Sequence, residues 1–168
     1  MMFTLKKSIT HLVLIALLLI SAPLQAFSFL DSQKPVNPDS LTGKGRWTLF
    51  EIWDSSCHIC RKTIHEINRF QAAYPQAQVY GISTDSKRGR QDALNFAREY
   101  QLKFPNLLSH FIEVSDYLYS RAGERLLGTP TVMLFTPEGE LLAVQPGPVT
   151  AQELINFIRK EEQQRNSP

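Results

Sequence analysis

Cysteine is scarce in this chain. Only Cys57 and Cys60 occur among its 168 residues. A small scaffold stapled by several disulfides is therefore excluded. There is no second cysteine pair and no His-x-x-x-His, so a closed zinc site of four Cys or His ligands is incomplete. No cysteine follows the N-terminal apolar run, which excludes a lipoprotein anchor. Low-complexity tracts and internal repeats are also missing, which argues against a solenoid.

What is present is globular in composition, 43% hydrophobic and 20% charged, at a length that suits one domain with a real core. The first residues differ from the rest. Lys6 and Lys7 give a basic start, Leu12 to Ile20 form an apolar run, Pro23 breaks it, and "LQA" ends at Ala26. This is the three-part form of a secretory signal peptide over residues 1–26. An uncleaved signal anchor is the alternative, because residues 9–30 carry no Lys, Arg, Asp or Glu. Removing the leader takes away two lysines and no acid. Basic residues then fall from 18 to 16, against 16 acidic ones. The remaining chain is neutral, and a nucleic-acid ligand is not indicated. Export would place the cysteines where disulfides form and persist.

Residues 27–45 are polar and rich in Pro and Gly, and read as a lead-in segment with little regular structure. A domain is expected over residues 46–165. "RWTLFEIW" (46–53) alternates as a strand does. Ile64, Ile67, Phe70 and Tyr74 recur at helical spacing until Pro75. "AQVYGIS" (77–83) is short and apolar, as a buried parallel strand should be. A helix is expected over 90–102, with Leu94, Ala97 and Tyr100 on its inner face, and another around "VSDYLYSRA". "TVMLF" and "ELLAVQP" flank the turn "TPEG" and read as a hairpin. Thr150 with Glu153 forms a capping-box pattern for a last helix whose buried stripe is Leu154, Phe157 and Ile158. The order β-α-β-α-(α)-β-β-α implies an α/β fold: a central mixed sheet with helices on both faces.

Cys57 falls at the junction of the first of these strands and the first long helix. A helix's opening turn has unpaired N–H groups and the positive end of the macrodipole. A thiolate there is stabilised, and the Cys57 pKa is expected below the free value of about 8.5. Cys60 lies one turn further in. A ring between the two removes little chain entropy, so a reversible redox pair suits them better than a staple. A copper(I)-handling site is the rival, since His58 and His65 stand nearby seven residues apart. His65 reads as a solvated surface residue. His58 lies between the cysteines, and when protonated it adds positive charge beside the thiolate, favouring the reduced form and making the disulfide more oxidising.

"LFEIWDSSCHIC", the later "GTPT" and the strand–hairpin–helix ending together resemble thioredoxin-like proteins, most closely the exported TlpA-type thiol–disulfide oxidoreductases. The resemblance covers roughly residues 40–165. It implies that Cys57 is the exposed nucleophile and Cys60 the resolving cysteine. It implies that Pro130 is a cis proline against the pair, with Thr129 presenting backbone to bound substrate. Glu51, six residues before Cys57, matches the family's buried acid, which trades a proton with the resolving cysteine. Strand alternation turning Glu51 outward is the competing expectation.

Departures from the family pattern are also visible. His58-Ile59 stands where Gly-Pro or Pro-Pro is familiar, and Ser56 replaces a frequent Trp. The acidic motif after the cis proline in cytochrome c maturation members is absent, with Thr131 and Val132 in its place. The peroxidatic pattern Pro-x-x-x-Thr-x-x-Cys is also missing, because Phe50 and Asp54 occupy its first two fixed positions. The resemblance implies an exported, periplasmic enzyme without bound cofactor. It would act on protein thiols and disulfides and be reset by a separate redox partner, itself membrane-bound in one version of that expectation.

Overall fold

The computed structural model describes residues 26–165. The expected leader lies outside the described residues, Ala26 excepted. Among the described residues, no helix is long and apolar enough to cross a membrane.

Six strands form one sheet in the order β1-β4-β3-β2-β5-β6. They are β1 (Ser28–Phe29), β2 (Thr48–Trp53), β3 (Gln78–Ser83), β4 (Asn106–Leu108), β5 (Thr131–Phe135) and β6 (Leu141–Pro146). β2, β3 and β4 run parallel, while β5 and β6 form an antiparallel extension beside β2. The hairpin between them turns at residues 136–140, where Gly139 takes φ 93°, a conformation that favours glycine.

The central strand β2 is buried along its whole length. Its side chains alternate between two cores. Five helices flank the sheet: α1 (His58–Thr63), α2 (His65–Ala73), α3 (Arg90–Glu99), α4 (Phe111–Ala122) and α5 (Ala151–Arg165). Leu49 and Trp53 join a cluster built with Cys60 of α1, Ile64 between α1 and α2, Ile67 and Phe70 of α2, Phe96 of α3 and Ile158 of α5. Phe50 and Ile52 join the opposite cluster, with Val114 and Leu118 of α4. Helices thus cover both faces of a mixed sheet, the architecture expected.

Four local expectations are corrected. The lead-in 27–45 is built into the domain. Phe27 and Leu41 are buried in the second core, Leu30 in the first, and β1 pairs antiparallel with β4. A 3₁₀ helix covers Pro38–Leu41, capped by the Asn37 side chain. The helix after Cys57 is broken at Ile64 into α1 and α2. The Thr63 hydroxyl donates to the Ile59 carbonyl at 3.0 Å, a back-bond that bends helices. On α3 the fully buried residues are Ala93 and Phe96, while Leu94, Ala97 and Tyr100 pack at the margin. The Phe96 ring stacks on Trp53 with centroids 4.5 Å apart, which sets that face. On α5 Ile155 replaces Phe157 in the buried stripe, and Phe157 remains exposed.

Candidate active site

The carboxyl ends of β2 and β3 lie side by side, with Trp53 paired to Ser83. In parallel sheets the crevice outside such ends is where ligands bind. The chain leaving β2 makes a tight turn, with Cys57 N–H donating to the Asp54 carbonyl at 3.1 Å. Cys57 is the residue before α1, and its Sγ accepts from Cys60 N–H at 3.0 Å. The two cysteines form a disulfide with Cα atoms 5.3 Å apart.

The two halves of that disulfide differ in access. Cys60 is fully buried, whereas Cys57 is half-buried and lines an open cleft of about 430 Å³. His58 and Ile59 stand on its rim, and Phe111 from the start of α4 closes another side. Opposite Cys57 lies the loop before β5. The Thr129–Pro130 peptide is cis, Pro130 is buried, and the Thr129 carbonyl oxygen lies 3.3 Å from Cys57 Sγ. The chain therefore brings Cys57, Cys60, His58, Thr129 and Pro130 to one place.

Glu51 lies in the sheet rather than in the cleft. Alternation puts it on the same face as Leu49 and Trp53, the face that α1 covers with Cys60. It is 3% exposed, so the outward orientation is corrected: both faces of β2 are covered. Burial pushes its carboxyl well above the usual carboxylate range. Its Oε2 has no hydrogen-bond partner among the described residues. A buried acid without a partner is retained at a cost in stability, and is a candidate proton carrier.

A second group of polar residues holds the turn before Cys57. Asp54 Oδ1 accepts from Ser56 N–H at 2.9 Å and from the Ser56 hydroxyl at 2.6 Å, while Oδ2 accepts from the Thr84 hydroxyl at 2.9 Å. Burial opposes the Asp54 charge, but these bonds outweigh it and hold the carboxyl below its ordinary value. Asp85 accepts from Ser55 N–H at 3.1 Å, from the Ser55 hydroxyl, and from the Ser83 hydroxyl at 2.6 Å. Arg61 of α1 donates to the Ser55 carbonyl at 2.7 Å from the other side. None of this network was expected from the motifs. Its one sequence signal is that the small polar runs "DSS" (54–56) and "STDS" (83–86) stand at the ends of adjacent parallel strands.

A metal reading gains no support from these positions. Among the described residues, no group of three or more His, Cys, Asp or Glu side chains is placed to hold an ion. His65 is separated from His58 by the break at Ile64, and its Nε2 lies 3.0 Å from Glu66 Oε1.

A family model, described as the AhpC/TSA family, matches residues 20–144. The chain belongs to the AhpC/TSA family. It is 26% identical over 124 residues to sporulation thiol-disulfide oxidoreductase A of Bacillus subtilis, covering 72% of each chain. It is 24% identical over 123 residues to thiol-disulfide oxidoreductase ResA of Bacillus cereus, covering 70% of this chain and 64% of ResA. The solved thioredoxin domain of a thiol-disulfide oxidoreductase from Bacteroides vulgatus matches with TM-score 0.62 and 24% identity, over 79% of this chain and 89% of that one. The fold is thus thioredoxin-like, and the relatives agree with the TlpA-type resemblance. With its Cys57–Cys60 pair in that fold, the chain is a thiol–disulfide oxidoreductase. Within the family it lacks the peroxidatic pattern: Phe50 is a fully buried core residue, and Asp54 holds the turn.

Proposed function

We propose that the protein is exported and exchanges disulfides with protein substrates through Cys57, with Cys60 as the resolving residue. The observation that carries this reading is the asymmetry of the pair: one sulfur lines a cleft and the other is sealed in the core. In the reducing direction, Cys57 thiolate attacks one sulfur of a substrate disulfide. That S–S bond breaks, a Cys57–substrate disulfide forms, and the departing substrate sulfur takes a proton. Cys60 then gives up its proton and attacks Cys57 Sγ. The second substrate thiol leaves, and Cys57–Cys60 closes, two electrons having passed to the substrate. Oxidation of a substrate dithiol runs the same steps in reverse.

The surrounding groups have distinct tasks in this scheme. The Cys60 N–H that meets Cys57 Sγ stabilises the thiolate. Glu51, as the buried base on the face shared with Cys60, takes the proton of the resolving thiol. Thr129 offers its backbone to the incoming chain beside Cys57, and Pro130 fixes that backbone. His58 on the rim tunes the pair. A separate redox partner resets it, and the setting is the periplasm, consistent with the leader-like first 26 residues. The test is stoichiometric. Reduced protein mixed with excess disulfide-bonded peptide should release two peptide thiols per chain and end as the Cys57–Cys60 disulfide. Failure to release thiol would overturn the reading.

A further inference from the structure

The turn that carries Cys57 places in the cleft a carboxylate that is in no ion pair among the described residues. Asp54 lines the cleft together with Cys57, and it is the one carboxylate that does so. Its three partners, Ser56 N–H, Ser56 hydroxyl and Thr84 hydroxyl, are all neutral. A carboxylate offers about four acceptor positions, and three are used here. The three bonds fix the group rigidly and keep it ionised, as the lowered pKa reflects. Asp85, by contrast, is directed to Ser55 and Ser83 and does not line the cleft. The other titratable side chain on the lining, apart from Cys57, is exposed His58.

We propose that Asp54 is a specificity-determining residue, whose carboxylate pairs with a basic side chain flanking the target cysteine of the substrate and disfavours an acidic one. The proposal rests on the disulfide-exchange reading above. Asp54 and Cys57 open on the same small cleft, so a substrate sulfur that reaches Cys57 brings its flanking residue past the carboxylate. A Lys or Arg there supplies a counter-charge and the fourth acceptor's donor. A Glu there meets a fixed like charge in a half-buried place, which is repulsive.

The test uses disulfide-linked peptides identical except for Lys, Gln or Glu beside the cysteine. Second-order rate constants are measured with reduced wild type and with Asp54→Asn. Asn keeps an oxygen for the Ser56 donors, and the Thr84 hydroxyl can accept from the new amide. Wild type should prefer Lys over Glu about fivefold more strongly than the variant does, as one half-buried ion pair allows. The excess preference should shrink in high salt. The variant also corrects for any intrinsic reactivity difference between the peptides. Equal Lys-to-Glu ratios in the two proteins, with both peptides reduced, would overturn the role of Asp54 and leave the exchange activity standing. Peptides untouched by wild type would overturn both.

Discussion

Cys57 Sγ lies 3.3 Å from the carbonyl oxygen of Thr129, across 72 residues of chain. The contact joins the turn after β2 to the loop before β5, two strands that pair antiparallel in the middle of the sheet. The Cys57 turn is itself tied down by Asp54, Asp85 and Arg61. The Cys57 sulfur therefore sits between two segments anchored in the same rigid sheet, the fixed geometry that the proposed exchange reaction requires.

Glu51 gives a pH-dependent prediction with a definite sign. Its carboxyl is raised in the folded state by burial, so its contribution is fully present below the unfolded value of about 4.3. It is lost progressively as pH rises through the folded value. Glu51→Gln removes that loss, so the variant should be more stable than wild type at pH 8, and the difference should close at pH 4. Urea midpoints at the two pH values measure it. The same variant should slow release of product from the mixed disulfide, on the order of a hundredfold.

His58→Gln isolates the charge on the cleft rim. An imidazolium beside Cys57 favours the thiolate, and so the reduced form. Its removal should lower the reduction potential at pH 6 on the order of 30 mV, a tenfold change in equilibrium against glutathione. An unchanged potential at pH 6 would assign the tuning to the loop backbone.

The N-terminal segment makes a prediction about processing and stability together. Protein recovered from its native host should begin near Phe27, as intact mass would show. Phe27 is 6% exposed and its ring meets Tyr117 edge-on at 5.6 Å. Phe27→Ala should therefore destabilise the fold by about 3 kcal/mol, measured by urea unfolding. A loss near zero would mean that the segment only rests on the domain.

The elements that position the cysteines were legible because each carries its own local signal. β2 and β3 show strand patterning, β5 and β6 flank a Pro-first turn, and Thr150 with Glu153 caps α5 at 2.8 Å. Two elements lacked such signals. β1 is two residues long and exists because β4 offers it an edge, a pairing across some 80 residues. β4 is three residues inside "FPNLL", too short for any periodicity. The site divides in the same way. Cys57, Cys60 and His58 are adjacent in sequence. The partnership of Asp54 with Thr84 depends on β2 and β3 ending level in a parallel pair, which no local pattern reports. Glu51 needed both faces of β2 to be covered before its burial could be known.

The division of labour between the cysteines is tested most directly by trapping. Reduced Cys60→Ala and Cys57→Ala proteins are each mixed with a disulfide-bonded peptide, quenched in acid and weighed intact. Cys60→Ala should carry one peptide as a stable mixed disulfide at Cys57, because the resolving sulfur is gone. Cys57→Ala should carry little, because Cys60 is sealed in the core. Equal trapping by the two variants would contradict the account.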